Sequence, residues 1–498
     1  MTKNEKNNKS FAVTIKEYID ENYSDWRISM NVFTALVGFS AVYINRIFKE
    51  IYGMNPLEYL QKVRLEKAKE LIELGIPLGR VAYQCGYSMR TFYRIFKQET
   101  GMSPDKYKQR FVKSYERFKE IVKLHDLRPL DYARKACDAV MLDNDPTRLP
   151  PLADQEWITR YSYTQGIFLL GMYKAYKLCR KKKYFNYINE WLDFVDAGNG
   201  EIRKYKKHPS TGIPRSLDGY QPLRIFMAMN EETGTESYKK IVEKKMKHFD
   251  EWETACDGIY LHDLYHLNHG ICLNSVYMLC PTACMWGRTA GRDSEWYECI
   301  THQPIAMYKK MLNPETGLLY HAWDDCAEWA DPVTGLSGEH WGRGMGYYIM
   351  GILDMLDYLP ENHKDYGRLC EIARKTLAAI AKYQDESGQW YQLIDKGDIK
   401  GNWLENSCSG MFVYSFAKAI NMGIIDKEYA IVAMRGYSGI IDTIEYGESN
   451  EMILKDICEG VIVGNSYFAK KSEYKNDLHG TGAFVLMCTE VEKLLNNL

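Results

Sequence analysis

The sequence contains no apolar run close to the ~18 residues that a bilayer-spanning helix needs, so we expect no membrane partner. The first ten residues, Met1 to Ser10, are polar and lack the apolar centre of a signal peptide, which predicts a cytoplasmic protein with reduced thiols. The 13 cysteines include no C-x-x-C pair, a common mark of a structural zinc site. We therefore expect neither a structural metal nor a cofactor.

Charge is divided unevenly along the chain. Residues 1–120 hold 21 lysines and arginines against 14 aspartates and glutamates, a net charge of +7. The whole chain carries −2, so residues 121–498 carry −9. A length of 498 residues predicts more than one domain, and the charge division predicts that only the first domain contacts phosphate groups.

The basic segment contains an internal repeat with a displacement of 48 positions. Gly38-Phe39-Ser40 precedes Arg46-Ile47-Phe48-Lys49, and Gly86-Tyr87-Ser88 precedes Arg94-Ile95-Phe96-Lys97 in the same frame. Serine is a good N-cap, apolar residues follow at helical spacing, and a glycine at 53 or 101 ends each helix. The repeat predicts two helix-turn-helix units joined by a linker helix, Pro56 to Leu74. The residues expected to face a core are Ile44, Ile47, Phe48, Ile51, Phe92, Ile95 and Phe96 in the units and Leu57, Leu60, Val63, Leu65, Ala68, Leu71 and Ile72 in the linker.

Residues 12–110 closely resemble the DNA-binding domain of AraC/XylS-type regulators, including the closing pattern Gly-x-Ser-Pro-x-x-Tyr at residues 101–107. A polar-faced helix behind a short turn suits the major groove. The resemblance implies DNA as a partner, and Lys49 and Lys97 suit phosphate contacts or simple solvation. The implied base-contacting positions are Val42, Asn45 and Arg46 in the first reading helix and Met89, Arg90, Tyr93 and Arg94 in the second.

From about residue 125 onward, the sequence consists of long helical stretches joined by loops rich in glycine, proline and aspartate. The expected helices include 164–178, 238–249, 346–359, 366–383 and 408–420, and the pattern predicts a toroid of helical hairpins. Several tryptophans fall in predicted loops, where an aromatic face can stack on a sugar ring, although core packing explains any one of them equally well. They are Trp323, Trp329, Trp341, Trp390 and Trp403.

Loop motifs in this region are more specific than its composition. They include Ser216-Leu217-Asp218-Gly219, Tyr320-His321-Ala322-Trp323-Asp324, Trp341-Gly342-Arg343-Gly344 and Gly480-Thr481-Gly482-Ala483-Phe484. Together they strongly resemble glycoside hydrolase families 88 and 105, the unsaturated glucuronyl and rhamnogalacturonyl hydrolases, from about residue 129 to the C-terminus. The resemblance implies an (α/α)6 barrel with a pocket at one mouth. The expected fold is all-α, with an N-terminal double helix-turn-helix domain followed by this barrel.

The chemistry that the resemblance implies is hydration of a vinyl ether. Enzymes of these families act on oligosaccharides whose terminal uronate carries a C4=C5 double bond, and an aspartic acid gives and takes the proton that lets water add. Carried over residue by residue, the resemblance makes Asp218 the first pocket aspartate and His321, Trp341 and Arg343 substrate-binding residues. Tyr347 stands where the family commonly has tryptophan and keeps an aromatic face there.

Asn274 is the serious departure from the family pattern. The family has Trp-x-Asp, whereas this chain has Cys272-Leu273-Asn274, with Tyr277 to Pro281 anchoring the alignment. Asn274 therefore falls on the catalytic aspartate. An amide cannot serve as a carboxyl proton shuttle, and loss of a general acid–base group costs about 10²–10⁴-fold in rate. The alternatives are a local misalignment or a substitute carboxylate, for which the candidates are Asp263, Asp324 and Asp325.

Three histidines, His262, His266 and His269, stand close together in the sequence and raise the question of a metal site. No carboxylate motif completes such a site. Sugar contacts or ordinary polar packing fit the segment better, and His262 is expected to contact the substrate.

Three functions stay open at this point. The leading hypothesis is a transcription regulator whose barrel senses unsaturated uronyl oligosaccharides from pectin or a related polysaccharide, with reduced or lost catalysis. The alternative is an active unsaturated uronyl hydrolase with an appended DNA-binding domain, and the third is an idle barrel that binds no sugar. The predicted domains are a disordered N-terminus over 1–11, the DNA-binding domain over 12–110, a linker over 111–128 and the barrel over 129–498. No clear dimerisation helix stands out, so no oligomeric state is predicted.

Overall fold

A computed structural model describes residues 3–73, 77–109, 125–147, 161–203, 216–247, 249, 252–263, 270–291, 293–460, 463 and 471–497. The chain forms two compact units, Met1–Arg117 and Phe118–Leu498. Both units are built from helices, with short two-residue and three-residue strands in the second, so the all-α class is confirmed.

The first unit holds two helix-turn-helix pairs joined by a long helix. Its helices are α1 (Lys3–Asn22), α2 (Met30–Val37), α3 (Ala41–Tyr52), α4 (Pro56–Glu73), α5 (Leu78–Gln84) and α6 (Met89–Thr100). The Ser40 and Ser88 hydroxyls accept from the backbone N–H groups of Tyr43 and Thr91, which caps the two reading helices α3 and α6. Gly53 and Gly101, both at φ +76°, end them in the left-handed conformation that glycine favours. The predicted double helix-turn-helix is therefore confirmed.

Three expectations for this unit are wrong in detail. Helix α1 begins at Lys3, so residues 3–11 are not disordered, because the buried stripe of α1 starts at Phe11 and the helix extends N-terminal to it. Ile51 is 39% exposed since it lies in the last turn of α3, beyond the small core. Leu57 is also 39% exposed, because it lies in the first turn of α4. The predicted end of the linker helix, Leu74, lies outside the described residues.

Twelve α-helices of the second unit fall within the described residues. They are α7 (Pro129–Asp143), α8 (Tyr163–Cys179), α9 (Lys182–Val195), α10 (Leu223–Thr233), α11 (Glu236–Lys247), α12 (Asn274–Ala290), α13 (Asp293–Met311), α14 (Gly342–Leu356), α15 (Tyr366–Ala381), α16 (Asn406–Asn421), α17 (Ala430–Ile441) and α18 (Leu478–Asn497). Three antiparallel strand pairs lie in the segments between the helices: β1 (Asp196–Gly198) with β2 (Glu201–Ile202), β3 (Ile271–Cys272) with β4 (Ala322–Trp323), and β5 (Glu445–Tyr446) with β6 (Met452–Ile453).

Alternate helices of this unit form a closed inner ring. Helices α8, α10, α12, α14, α16 and α18 contact one another in that order, and α18 returns to α8. Glycine permits the closest approaches: a Cβ at Gly351 of α14 would lie 2.8 Å from the Tyr277 backbone nitrogen of α12. A Cβ at Gly482 of α18 would lie 2.8 Å from the Phe168 nitrogen of α8. The ring encloses one continuous apolar core, and the (α/α)6 barrel is confirmed.

Within the described residues, no single helix is long and apolar enough to cross a bilayer. Helices α2 and α3 are long and apolar enough only when taken together, and the chain bends by 89° between them. The cysteines that the structure describes are all free thiols.

Candidate functional site

The candidate residues of the barrel lie where inner helices begin. Tyr163 is the first residue of α8, Asn274 the first of α12, Arg343 the second of α14 and His479 the second of α18. The Tyr163 ring lies 5.7 Å from the His479 ring, so the first and last inner helices meet at this mouth. Because each helix presents unsatisfied N–H groups and partial positive charge at its N-terminus, the mouth favours an anionic ligand.

Strands β3 and β4 bring Asn274 and His321 together. Cys272 pairs with Ala322 across the ladder, and the Leu273 N–H donates to the His321 carbonyl at 3.0 Å. Asn274 follows β3 directly and is half-buried, and its side-chain oxygen Oδ1 has no hydrogen-bond partner among the described residues. A short ladder thus holds Asn274 and His321 side by side.

His262 and Asp218 form a second pair in the site. The Asp263 backbone bridges to Ser216, which places Asp218 in the 3-10 turn Leu217–Tyr220 ahead of α10. The Nε2 atom of His262 lies 3.6 Å from Asp218 Oδ1, and its Nδ1 atom lies 3.1 Å from the Ser275 hydroxyl. The structure therefore brings the predicted residues His262 and Asp218 into one cluster beside α12.

Burial and charge shift the pKa values of this cluster in different directions. Burial raises the pKa of the Asp218 carboxyl above its usual range, and Asp263 adds to the rise. Burial acts to lower the pKa of His262, but the neighbouring Cys272 and Asp218 outweigh it and raise that pKa to about 10. For His321, burial together with His262 and Arg343 lowers the pKa to about 3. At neutral pH, His262 is therefore a cation and His321 is neutral.

His321 packs edge-on against Trp341, with ring centroids 4.7 Å apart. Both side chains are buried, and Gly344 makes room for them because a Cβ there would collide with the His321 ring. The Trp341 backbone is fixed by a bridge to Leu393. This arrangement leaves His321 little freedom to rotate, so the site holds a fixed aromatic and imidazole wall.

Arg343 does not occupy a loop, as the sequence predicts, but the first turn of α14. Helix α14 starts at Gly342 and not at residue 346, and its first residue must be small because a Cβ there would lie 2.8 Å from the Cys408 sulfur. The guanidinium is buried and donates to the carbonyls of Cys458 and Glu459, the latter at 2.5 Å. Two of its donors therefore hold the 458–459 segment against the barrel and are not directed at a sugar.

Tyr347 and two residues without a predicted role complete the cluster. Tyr347 is buried and its hydroxyl has no partner among the described residues; its ring lies 6.4 Å from that of Tyr163. His479 Nδ1 lies 2.8 Å from Asp477 Oδ1, and the histidine and Ser472 lower the pKa of Asp477 to about 2 against its burial. Tyr163 and His479 were missed because they are far apart in sequence; their position at inner-helix starts is the signal that could have found them.

Other candidates from the sequence have structural roles or lie elsewhere. The Asp324 carboxylate accepts from the Cys326 and Ala327 N–H groups and so organises its own turn. Asp324, Asp325 and Cys326 are the one potential metal-ligand group among the described residues, and two of the three are exposed. Trp390 is fully buried in the core, where its indole N–H donates to the Ile380 carbonyl. His266 and His269 lie outside the described residues.

In the first unit, the predicted base-contacting residues lie on the outer faces of α3 and α6. Asn45 and Tyr93 are half-buried, and burial with a hydrogen bond to Asp105 raises the pKa of Tyr93 to about 12. The Arg46 guanidinium lies 5.1 Å above the Tyr43 ring. The remaining predicted contacts are exposed: Val42, Arg46, Met89, Arg90 and Arg94.

Known proteins resemble the two units separately. The family profile described as Glycosyl Hydrolase Family 88 matches residues 132–495, and a helix-turn-helix domain profile matches residues 33–110. The unsaturated rhamnogalacturonyl hydrolase YesR of Bacillus subtilis is 22% identical over 291 residues, which are 57% of this chain and 76% of YesR. The transcriptional activator RhaR of Pectobacterium atrosepticum is 40% identical over 76 residues, which are 15% of this chain and 27% of RhaR. A solved family 105 glycoside hydrolase of C. acetobutylicum is 30% identical with a TM-score of 0.66, and the match covers 73% of this chain and 99% of that one.

Proposed function

The chain belongs to glycosyl hydrolase family 88, and on that premise we propose that it is a DNA-binding transcription regulator whose barrel binds an unsaturated uronyl oligosaccharide without efficient cleavage. The two capped reading helices and the helix-turn-helix profile support DNA binding. Binding of the saccharide would bias the affinity of the DNA-binding unit, which requires that the ligand prefer one of two states of the chain.

The observation that carries the proposal is Asn274. It begins α12 beside His321 and in the same helix turn as Ser275, the partner of His262. Vinyl-ether hydration needs a group that can release and recover a proton near neutral pH, and an amide does neither. On this proposal, the amide of Asn274 takes the place of the family's proton-transferring carboxyl and has the same shape.

Unpartnered polar atoms support retention of binding. The side-chain oxygen of Asn274 and the hydroxyl of Tyr347 have no partner among the described residues. A buried polar atom without a partner costs about 1–3 kcal/mol, and a sugar rich in hydroxyl groups can satisfy both atoms. Both atoms are therefore available to a bound saccharide.

Charge at the mouth suits a uronate. The cation at His262 and the inner-helix N-termini attract a carboxylate. The neutral ring of His321 can form a hydrogen bond with a sugar hydroxyl. Similarity to an unsaturated rhamnogalacturonyl hydrolase supports a saccharide released from pectin or a related polysaccharide.

A paired titration with an unsaturated uronyl disaccharide tests the proposal. Calorimetry follows binding, and ultraviolet absorbance of the C4=C5 bond follows turnover on the same sample. We expect saturable binding with no measurable loss of absorbance. Absence of binding would overturn the sensor, and rapid loss of absorbance would overturn the lack of catalysis.

The substitution Asn274→Asp sharpens this test. Restoring a carboxyl at the acid–base position should raise the rate of absorbance loss by about 10²-fold or more, and its negative charge should weaken binding of the anionic saccharide. Asn199→Asp, at an exposed position in the turn between β1 and β2, is the matched control and should change neither quantity.

The alternative of a working hydrolase rests on Asp218. Its carboxyl is partly exposed to the site and burial raises its pKa, as a general acid requires. If the unmodified chain consumes the double bond and Asp218→Asn abolishes that activity, Asp218 is the proton donor and the alternative is correct.

A further inference from the structure

The DNA-binding unit contains two helix-turn-helix motifs with separate apolar cores, and α4 runs from the first core to the second. The first core ends with Leu60 and the second begins with Ala68. Partly buried Val63 packs on the first core and Leu65 on the second. The boundary between the two cores therefore falls at the residue between them, Arg64.

Arg64 is 6% exposed and contacts segments of both helix-turn-helix motifs. Its Nε atom donates to the Tyr23 carbonyl at 2.7 Å and its Nη2 atom to the Asp25 carbonyl at 2.9 Å, both in the loop that leads from α1 to α2 of the first motif. Its guanidinium carbon lies 4.9 Å from the centre of the Tyr87 ring, in the turn of the second motif. One planar cation thus contacts the loop of the first motif and the turn of the second.

The loop that receives Arg64 is itself ordered by local bonds. The Asp25 carboxylate accepts from the Arg27 backbone N–H at 3.0 Å and from the Arg27 guanidinium at 2.9 Å. The Asp25 carbonyl is therefore held in place to receive Arg64. Because its acceptor is held in place, the Arg64 guanidinium is held in one position as well.

The glycines of the two duplicated turns differ in their surroundings. Gly38 and Gly86 occupy the same repeat position with φ values of +75° and +69°. A Cβ at Gly38 would meet nothing within 4 Å, whereas a Cβ at Gly86 would lie 2.8 Å from both Arg64 Nη2 and the Ser24 carbonyl. Of the two turns, only that of the second motif packs against the first motif.

We propose that Arg64 is a positioning residue that sets the relative orientation of the two reading helices, and thereby the spacing of the two DNA half-sites that the protein accepts. Two reading helices on separate cores can enter successive major grooves only if their separation and rotation match the duplex, which turns once in about 10–10.5 base pairs. Arg64 touches no base in this role, so its effect is on half-site spacing and not on half-site sequence.

Operators of altered spacing test this inference. A duplex selected from random DNA with the full-length chain is compared with versions that carry one base pair more or fewer between the half-sites. We expect the unmodified chain to prefer the selected spacing by about tenfold or more, and Arg64→Ala to reduce that ratio to about threefold or less. Lys62→Ala, which removes an exposed positive charge from the same helix, should keep the full ratio.

A second pair of variants keeps the test decisive if Arg64→Ala does not fold. Gly86→Ala and Gly38→Ala impose the same left-handed backbone strain, but only the first collides with Arg64. Gly86→Ala should lower the spacing ratio, and Gly38→Ala should keep it. Weaker binding by Arg64→Ala or Gly86→Ala to all spacings in equal proportion would mean that Arg64 only stabilises the fold, and the inference would be wrong.

Discussion

Helix α14 carries two buried polar side chains, Tyr347 and Asp354, that are satisfied in different ways. Near its start, the Tyr347 hydroxyl lacks a partner among the described residues, as does the side-chain oxygen of Asn274 at the start of α12. Two turns further along α14, about 10 Å at 1.5 Å per residue, Asp354 accepts from Arg224 at 2.7 Å, Lys418 at 2.6 Å and Tyr414 at 2.5 Å. The comparison teaches that a buried carboxylate shared by several protein donors maintains the barrel, whereas the unpartnered atoms at the helix starts are available to a ligand.

The largest expected effect comes from breaking the paired group. Asp354→Ala leaves the buried cations of Arg224 and Lys418 without their shared anion, so we expect a loss of about 3–5 kcal/mol in the free energy of unfolding. Denaturant unfolding followed by circular dichroism measures it. Asp357→Ala is the matched control, since this carboxylate binds the same lysine but is 41% exposed, and it should cost about 1 kcal/mol or less. Equal losses for the two variants would contradict the structural role of Asp354.

The two site histidines should give stability opposite dependences on pH. His321 has a pKa of about 3 in the folded chain, so between pH 6.5 and 3 the unfolded chain binds a proton that the folded chain does not. Stability therefore falls as pH is lowered, by about 2–3 kcal/mol between pH 6.5 and 4.5. His262 has a folded pKa of about 10, so its contribution is present below pH 6.5 and is lost as pH rises to 10.

Melting temperatures across pH separate these two contributions. His321→Gln should flatten the acid branch of the curve and His262→Gln the alkaline branch. His302→Gln, at a histidine outside the site that binds the Asp257 carbonyl, should leave both branches as they are. If His321→Gln leaves the acid branch unchanged, the buried ring is not held neutral.

Features that depend on nearby residues could be predicted from the sequence. Ser40 and Ser88 cap α3 and α6, and Gly53 and Gly101 end them, because caps and left-handed turns are set by a few adjacent residues. Sequence reasoning also assigned Asp218 and His262, each separately, to the sugar site, and their side chains lie 3.6 Å apart.

Features that depend on ring closure could not be predicted in this way. Tyr163 meets His479 only because α18 returns to α8. Arg224, Asp354 and Lys418 come from three inner helices far apart in sequence. Two glycines made the start of α14 resemble a loop, whereas Gly342 and Gly344 give space to Cys408 and His321. Such contacts have no local signal, since the side chains that require them lie on other helices.

The smallest expected effect distinguishes two buried tyrosine hydroxyls. Tyr414→Phe removes a donor to Asp354 and should lower the free energy of unfolding by about 1–3 kcal/mol without changing saccharide affinity. Tyr347→Phe removes a hydroxyl that has no partner in the described part of the chain, so stability should hold or rise slightly, while affinity for the unsaturated disaccharide should fall by about 1 kcal/mol, roughly fivefold. Calorimetric titration and thermal unfolding of both variants measure the two quantities. Loss of stability without loss of affinity in Tyr347→Phe would show that this hydroxyl belongs to the fold, and the contrast along α14 would then fail at its ligand-binding end.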